Sequence, residues 1–251
     1  DTYQEDNLEY NFYGYCSANP VLYQDPTGHY KGQDTRSKFN PNNTSGGINN
    51  PKKYLEDRYG GTATKNASKS LGLASFTMAQ IRSGNICSPV AITRVLHYYR
   101  HKKGYKKIDS DYKKIFKKVW ATNGNKDGTN PTVIDNMAQK TLRNYGYKRS
   151  ISYNKYAWNF ASDVVNEINK GYPVIFSMAN GYYGNHTVTV IGYEVYKIKK
   201  KLWIGSTTKY RHLIKVYDGW KDKPRYIDYE AFAGSIFNPG IGSFTRIRVQ
   251  S

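Results

Sequence analysis

The sequence contains few cysteines, few acidic residues and no long run of apolar residues. Its 251 residues include only two cysteines, which excludes a small scaffold held together by many disulfides. No apolar stretch approaches the length of about 20 residues that a membrane-spanning helix requires. We therefore expect one large domain, or a domain with an extension, that folds around its own core and does not span a membrane.

The shortage of acidic residues leaves a strong excess of positive charge. There are 38 Lys and Arg residues against 19 Asp and Glu, a formal net charge of +19. Such charge attracts anionic polymers, for example nucleic acid or cell-wall teichoic acid. However, the lysines are spread along the chain and no recognised nucleic-acid-binding module is present. We therefore expect a solvated basic surface and no specific nucleic-acid partner.

Composition also bears on where the protein works. The chain begins with Asp1 rather than Met, and no basic, apolar leader precedes it. This is expected of a mature product after signal removal, or of a chain that starts at a boundary within a longer one. The few cysteines and the abundance of Tyr, Lys and Asn favour a secreted or cell-surface protein of a Gram-positive bacterium.

The apolar pattern divides the chain near residue 50. Residues 1–50 are polar and lack periodic apolar positions, so we predict an irregular N-terminal arm there. Residues 51–251 are predicted to form the functional domain. Cys16 in the arm is interpreted as a lone thiol. The open alternative is a disulfide with Cys87, which would inactivate any site built on Cys87.

Within the predicted domain, helix signals come first and strand signals second. Helices are predicted at about 51–60, 88–99, 109–120, 132–145 and 158–170, with a glycine-rich and alanine-rich connection that reaches residue 72. Strands are predicted at 172–178, 186–193, 212–217 and 242–249, with a basic hairpin or loop at 199–205. This order predicts an α+β fold in two facing lobes.

Cys87 lies immediately before a predicted helix. Pro89 is well tolerated in a first helical turn, and Ser88 is predicted to be the N-cap. The positive end of the helix dipole then stabilises a thiolate, which is the nucleophilic form of cysteine. Taken alone, such a cysteine is more often a small buried residue than a nucleophile. Its interpretation depends on what lies opposite.

A histidine and a carboxylate occur at the ends of two predicted strands. His186 lies at the entrance of the strand 186–193, and Asp218 follows the strand 212–217. Strands close in sequence tend to be neighbours in a sheet, so the two side chains are expected to lie side by side, facing Cys87. A thiol, a base and a group that orients the base are what nucleophilic catalysis requires.

These segments resemble the papain-like cysteine peptidases, and most closely their bacterial branch related to the double-glycine leader peptidases, the peptidase C39-like proteins. The segment 87–89 is similar to a Cys-Gly-Pro helix start, 185–193 to a Gly-His-x-Val-x-Val-x-Gly-Tyr strand, and 218–220 to an Asp-Pro-Trp corner. The likeness covers roughly residues 50–250. It implies a papain-like fold, in which an N-terminal helical lobe carrying the cysteine helix packs against a C-terminal antiparallel sheet.

The resemblance also implies a role for each residue. Cys87 attacks a carbonyl carbon, His186 accepts and returns the proton, and Asp218 orients the imidazole. The family uses a glutamine shortly before the cysteine to stabilise the oxyanion. Gln80 is the only glutamine near that position, although it lies one residue further away than usual, and Asn85 is the alternative donor.

Neither a metal nor a cofactor is expected. His97 and His101 share one face of the predicted helix, but no third ligand is evident. We interpret them as two histidines of a basic helix.

The predicted function is a secreted, monomeric cysteine peptidase that hydrolyses peptide bonds through a thioester acyl-enzyme. The same Cys-His-Asp geometry serves cell-wall amidohydrolases and transglutaminases, so wall peptides as substrates and amines as acceptors stay open. Ser88 and Asn185 replace two glycines of the family and are expected to narrow the cleft. The non-enzymatic alternative is therefore a secreted binding protein on the same scaffold.

Overall fold

An antiparallel sheet of seven strands forms the framework of the protein. The structure is a computed structural model that describes residues 47–179, 185–233 and 241–250. The strands are β1 Thr62–Ser70, β2 Ile151–Lys155, β3 Val174–Ala179, β4 His186–Lys201, β5 Ser206–Tyr217, β6 Arg225–Asp228 and β7 Ile241–Arg248. The helices are α1 Pro51–Tyr59, α2 Cys87–Lys102, α3 Tyr112–Thr122, α4 Ile134–Asn144, α5 Asn166–Asn169 and α6 Tyr229–Ala233. The predicted α+β class, with helices first and an antiparallel sheet second, is confirmed.

The predicted arm falls almost wholly outside the described residues, and Cys16 lies outside them too. The division of the chain into an arm of residues 1–50 and a domain of residues 51–251 therefore stays a prediction. The first described contact with the sheet is an antiparallel bridge between Ile48 and Tyr226 of β6.

The long strand β4 is the centre of the sheet, whose order is β2-β7-β3-β4-β5-β6. Its residues 186–190 pair with β3, and residues 192–199 pair with β1 on the same edge. Gly192 lies at the point of β4 where the strand paired with this edge changes from β3 to β1. A Cβ atom at this position would come within 2.3 Å of the Lys69 main-chain oxygen, so only glycine lets β1 approach so closely. β5 pairs with β4 along its whole length.

Helix α2 is almost completely buried and packs against β3 and β4. Its apolar stripe consists of buried residues, namely Val90, Ala91, Val95, Leu96 and Tyr98. Because α2 begins at Cys87 and β4 begins at His186, the packing of this helix on the sheet determines whether the two residues meet. None of the helices in the described ranges combines the length and apolar composition needed to cross a membrane.

The structure differs from the prediction in two segments, of which the first is a strand and the second is helical but mostly not α-helical. The segment interpreted as a connection up to residue 72 contains the strand β1, which pairs with β4. Most side chains of β1 are exposed, so its sequence has no apolar pattern that would indicate a strand. The helix predicted at 158–170 is a π-helical segment, Phe160–Val165, followed by the short α5. Asn159 caps the π-helical segment by accepting a hydrogen bond from the Ser162 main-chain N–H.

Candidate active site

Cys87 is the first residue of α2, and its side chain is 5% exposed. The prediction that Ser88 caps the helix is wrong: Ile86 occupies the N-cap position and provides no side-chain hydrogen bond. The main-chain N–H groups of a first helical turn have no partner within the helix, so the thiol lies at the positive end of the dipole, as expected. It belongs to an apolar cluster that includes Phe76, Met78, Ile86 and Val90, and Trp220 packs against this cluster.

His186 is the first residue of β4 and is 2% exposed. Its ring stacks on the indole of Trp220, with 4.0 Å between ring centroids and 16° between the planes. Nε2 lies 2.7 Å from the main-chain oxygen of Asp218. Because a carbonyl oxygen only accepts hydrogen bonds, Nε2 must carry the hydrogen. His186 also forms a side-chain hydrogen bond with Cys87. Because Nε2 is bonded to Asp218, this second hydrogen bond uses Nδ1.

Two opposing influences determine the pKa of His186. Burial is the largest and lowers it, whereas the hydrogen bond and charge of Cys87, together with the carbonyl and charge of Asp218, raise it. The net pKa lies above the ordinary value of 6.5. The imidazolium form is therefore stabilised by its contact with the cysteine.

This balance predicts how His186 titrates. In the Cys87→Ala variant two influences that raise the pKa are gone and burial remains, so we expect the pKa of His186 to fall relative to the wild type. Imidazole NMR titration measures it, with the His186 signal assigned by its loss in His186→Gln. A wild-type pKa at or below 6.5, or one that Cys87→Ala leaves unchanged, would contradict the coupling.

Asp218 follows β5 and is 1% exposed. Its carboxylate accepts hydrogen bonds from the main-chain N–H groups of Trp220, at 2.9 Å, and Lys221, at 3.2 Å, and from Nε of Arg225 at 2.5 Å. The residue thus orients His186 through its main-chain oxygen, while its carboxylate holds the following turn. The sequence predicts that Asp218 orients the imidazole, and the described hydrogen bond between the two residues uses the main-chain oxygen of Asp218.

Arg225 is a member of this site that sequence reasoning missed. It lies on β6, its side chain is 1% exposed, and it forms an ion pair with Asp218. Its guanidinium also lies 5.9 Å from the ring centroid of Trp220. No motif predicts this pair, because it exists only when β5 and β6 are adjacent.

A chain of buried hydroxyl groups joins α2 to the sheet beside the thiol. Ser88 Oγ lies 4.0 Å from the sulfur of Cys87 and 2.9 Å from Thr187 Oγ1, which in turn lies 3.1 Å from Ser177 Oγ. Thr187 directly follows His186, so these hydrogen bonds connect the cysteine helix to the strand that carries the histidine. The serine that replaces a family glycine thus has a definite contact here.

The two predicted oxyanion donors lie in different surroundings. Gln80 is exposed, and its Oε1 accepts a hydrogen bond from the main-chain N–H of Thr77 at 2.8 Å. Asn85 is buried two residues before Cys87, and its main-chain oxygen accepts a hydrogen bond from the N–H of Gly128 at 2.9 Å. The described contacts therefore hold Gln80 in its own turn, whereas Asn85 is buried close to the thiol along the chain.

Arg94 of α2, also missed by sequence reasoning, positions the segment that precedes the cysteine. Its guanidinium donates to the main-chain oxygens of Ala74, at 3.1 Å, and Phe76, at 2.5 Å, and to Thr189 Oγ1 at 3.0 Å. Complete burial lowers the pKa of Arg94 to about 10, which leaves it charged at neutral pH. Arg94 thus holds this segment against β4.

The same segment is joined to the turn that follows Asp218. The main-chain N–H of Met78 donates to the oxygen of Gly219 at 2.7 Å. Gly219 has a φ of +84°, and a Cβ atom there would lie 3.0 Å from Met78 Cγ, so glycine suits both the turn and the contact. The segment before Cys87 and the turn after Asp218 are therefore held together.

His97 and His101 are adjacent on α2, with ring centroids 4.2 Å apart. Burial, followed by the charge of His101, lowers the pKa of His97 to about 4, against a weaker opposite effect of Asp111. Among the described residues, no group of three or more His, Cys, Asp or Glu side chains could hold a metal ion. The expectation that the protein uses no metal or cofactor stays a prediction.

The site consists of a cysteine at the start of a buried helix and a histidine at the start of a central antiparallel strand, joined by a hydrogen bond. This arrangement defines a scaffold of the cysteine-peptidase type. The sequence model of the Peptidase_C39 like family matches residues 73–235, which is more than half of the chain. The protein therefore belongs to the Peptidase_C39 like family, and the resemblance found in the sequence is confirmed. No curated protein matches the chain.

Proposed function

We propose that the protein is a secreted cysteine peptidase in which Cys87 is the nucleophile and His186 is the general base and acid. The observation that carries this proposal is the orientation of His186. Its Nε2 donates to the main-chain oxygen of Asp218, so Nδ1 is directed to the thiol with its lone pair. That is the tautomer in which an imidazole can accept the thiol proton.

The proposed reaction is acyl transfer in two steps. The Cys87 thiolate attacks the carbonyl carbon of a peptide, and the oxyanion that forms collapses to a thioester as His186 Nδ1 donates its proton to the departing amine. Water then attacks the thioester carbonyl and gives a proton to His186, and the thiolate leaves. Asp218 stabilises the imidazolium through its carbonyl oxygen and its charge.

The oxyanion requires hydrogen-bond donors at the carbonyl oxygen. We assign this role to the main-chain N–H of Cys87 and the side-chain amide of Asn85. Asn85 is favoured over Gln80 because it is buried next to the thiol in sequence, whereas Gln80 is exposed and engaged with Thr77.

The two candidate donors make a matched pair of variants. We expect Asn85→Ala to lower kcat by about 10²–10³-fold, the usual effect of losing one oxyanion donor, with little change in KM. Gln80→Ala is expected to leave kcat within about threefold of the wild type, because an exposed turn residue away from the reacting atoms contributes little. Steady-state kinetics on one fluorogenic peptide measures both, and the reverse ranking would assign the role to Gln80.

One observation favours the non-enzymatic alternative. Cys87 is only 5% exposed and belongs to an apolar cluster that includes Met78, with Trp220 packed against it, so a substrate must displace part of its surroundings to reach the sulfur. A binding protein that has kept the scaffold and lost turnover would show the same closed site.

The pH dependence of Cys87 alkylation by iodoacetamide, followed by mass spectrometry of the full chain, separates these functions. In a working Cys–His pair, Cys87 reacts faster than Cys16 at pH 6, and His186→Ala moves its titration to higher pH. A Cys87 that reacts like an ordinary thiol, or not at all, would overturn the assignment of a nucleophile.

Secretion and the substrate class are proposals supported by composition, namely two cysteines and a net charge of +19. The protein is incubated with denatured protein or with purified wall peptides, each with and without an added primary amine. The choice of substrate and the fate of the amine distinguish the possible reactions. Peptide cleavage by water is expected. Incorporation of the amine in its place would indicate a transferase, and cleavage of wall peptides alone would indicate a cell-wall amidohydrolase.

A further inference from the structure

The hairpin formed by β4 and β5 ends in an exposed apolar tip. Leu202, Trp203 and Ile204 are consecutive there, and their exposed fractions are 49%, 102% and 87%. The tip is an ordered turn, closed by a hydrogen bond from the Leu202 N–H to the Gly205 oxygen at 3.1 Å. Three consecutive apolar side chains presented to water in this way usually mark an interaction surface.

The arms of this hairpin carry only positive charge. Between Glu194 and Asp218 the sequence contains no acidic residue. The cations in this interval are Lys197, Lys199, Lys200, Lys201, Lys209, Arg211 and Lys215. In the part of the chain that the structure describes, no carboxylate lies within ion-pairing distance of the lysines at 199–201. Among the described residues, the apolar tip is thus flanked by lysines that form no ion pair with a carboxylate.

The tip is remote from the candidate active site. β4 begins at His186 and runs for 16 residues to Lys201, a length of about 50 Å at the usual rise per residue of a strand. β5 returns from the tip to the site and ends next to Asp218. The charge and apolar surface of the tip are therefore not required to form the site.

We propose that the β4–β5 hairpin tip binds the surface of an anionic lipid bilayer. A bilayer interface accepts both features at once, since Trp and aliphatic side chains enter the boundary between headgroups and acyl chains while lysines contact the anionic headgroups. A soluble polyanion would use the lysines but leave Trp203 and Ile204 in water. The tip then holds the protein at the membrane surface, with its candidate active site about 50 Å along the strands.

The proposal is tested by co-sedimentation of the full chain with vesicles of phosphatidylcholine alone or with about 30 mol% phosphatidylglycerol, which gives the vesicle surface the negative potential that attracts lysines. Two variants alter the tip. Trp203→Ser with Ile204→Ser removes the apolar part, and Lys199→Gln with Lys200→Gln and Lys201→Gln removes three charges.

Each variant has a matched control elsewhere on the surface. Lys113→Gln with Lys114→Gln and Lys117→Gln, on the exposed face of α3, changes the net charge by the same amount. Ile151→Ser, on β2, removes an apolar side chain that is 49% exposed. The melting temperature and the alkylation rate of Cys87 are measured for every variant to show that the fold and the candidate site are intact.

We expect binding to the anionic vesicles and none to phosphatidylcholine alone. The triple lysine variant of the tip should lower the partition coefficient by about 100-fold, and the apolar variant by about tenfold or more, while both controls stay close to the wild type. Failure to bind anionic vesicles would overturn the proposal. So would an apolar variant that binds like the wild type and is displaced completely by soluble polyphosphate, which would indicate a polyanion site. Because no outcome depends on turnover, the result is independent of the proposed peptidase activity.

Discussion

Cys87→Ala is expected to abolish peptide hydrolysis while leaving the fold intact. Without the sulfur no thioester can form, and binding and oxyanion stabilisation alone leave little rate, so kcat/KM should fall by about 10⁴-fold or more. The substitution removes one atom from an apolar cluster, and its effect on the free energy of unfolding should stay within about 1–2 kcal/mol. A fluorogenic peptide assay and urea unfolding measure the two quantities.

A buried neighbour supplies the control for this experiment. Ser88→Ala removes the hydroxyl group next to the thiol and breaks its hydrogen bond with Thr187, but it leaves the nucleophile in place. It should lower stability by about 1 kcal/mol and retain measurable turnover.

His186→Ala should lower kcat by about 10²–10⁴-fold, the usual contribution of a general base. Undiminished turnover in a well-folded Cys87→Ala or His186→Ala variant would refute the assignment.

Arg225→Met is expected to destabilise the protein by about 3–5 kcal/mol, because it removes the cation that is hydrogen-bonded to the buried carboxylate of Asp218. The main-chain N–H groups of Trp220 and Lys221 still bond this carboxylate, but they carry no full charge. The turn that carries Trp220 should loosen, so kcat should fall as well. Urea unfolding monitored by circular dichroism gives the change in stability.

An exposed ion pair provides the matched comparison. Arg82 and Asp127 are 3.6 Å apart and about equally exposed, at 42% and 43% of their side chains. Arg82→Met should therefore cost less than about 1 kcal/mol. Adding Asp218→Asn to Arg225→Met removes the buried negative charge that Arg225 no longer balances, and should restore part of the lost stability. A loss at Arg225→Met no larger than that at Arg82→Met would show that the buried pair does not hold the turn.

The sequence by itself determined the class of fold and the three residues around which the candidate site is built. Helices such as α2 follow an apolar stripe with proline in the first turn, and strands such as β4 follow a run of β-branched residues beside a glycine. The sequence allows these three residues, Cys87, His186 and Asp218, to be selected as site candidates because each lies at the end of a helix or strand. The signals that begin or end a helix or strand come from residues close by in the sequence.

Only the tertiary structure decided how these residues are held. Arg225 at the start of β6 bonds Asp218 just after the neighbouring strand β5, and Arg94 bonds the segment before Cys87 across 20 and 18 positions of the chain. The orienting contact of His186 goes to a main-chain oxygen, an atom that every residue carries and that no motif can distinguish. Likewise, β1 is a strand because the backbone of β4 lies beside it, with Gly192 allowing the close approach. Such contacts join distant parts of the chain or use backbone atoms alone, so they leave no pattern in the sequence.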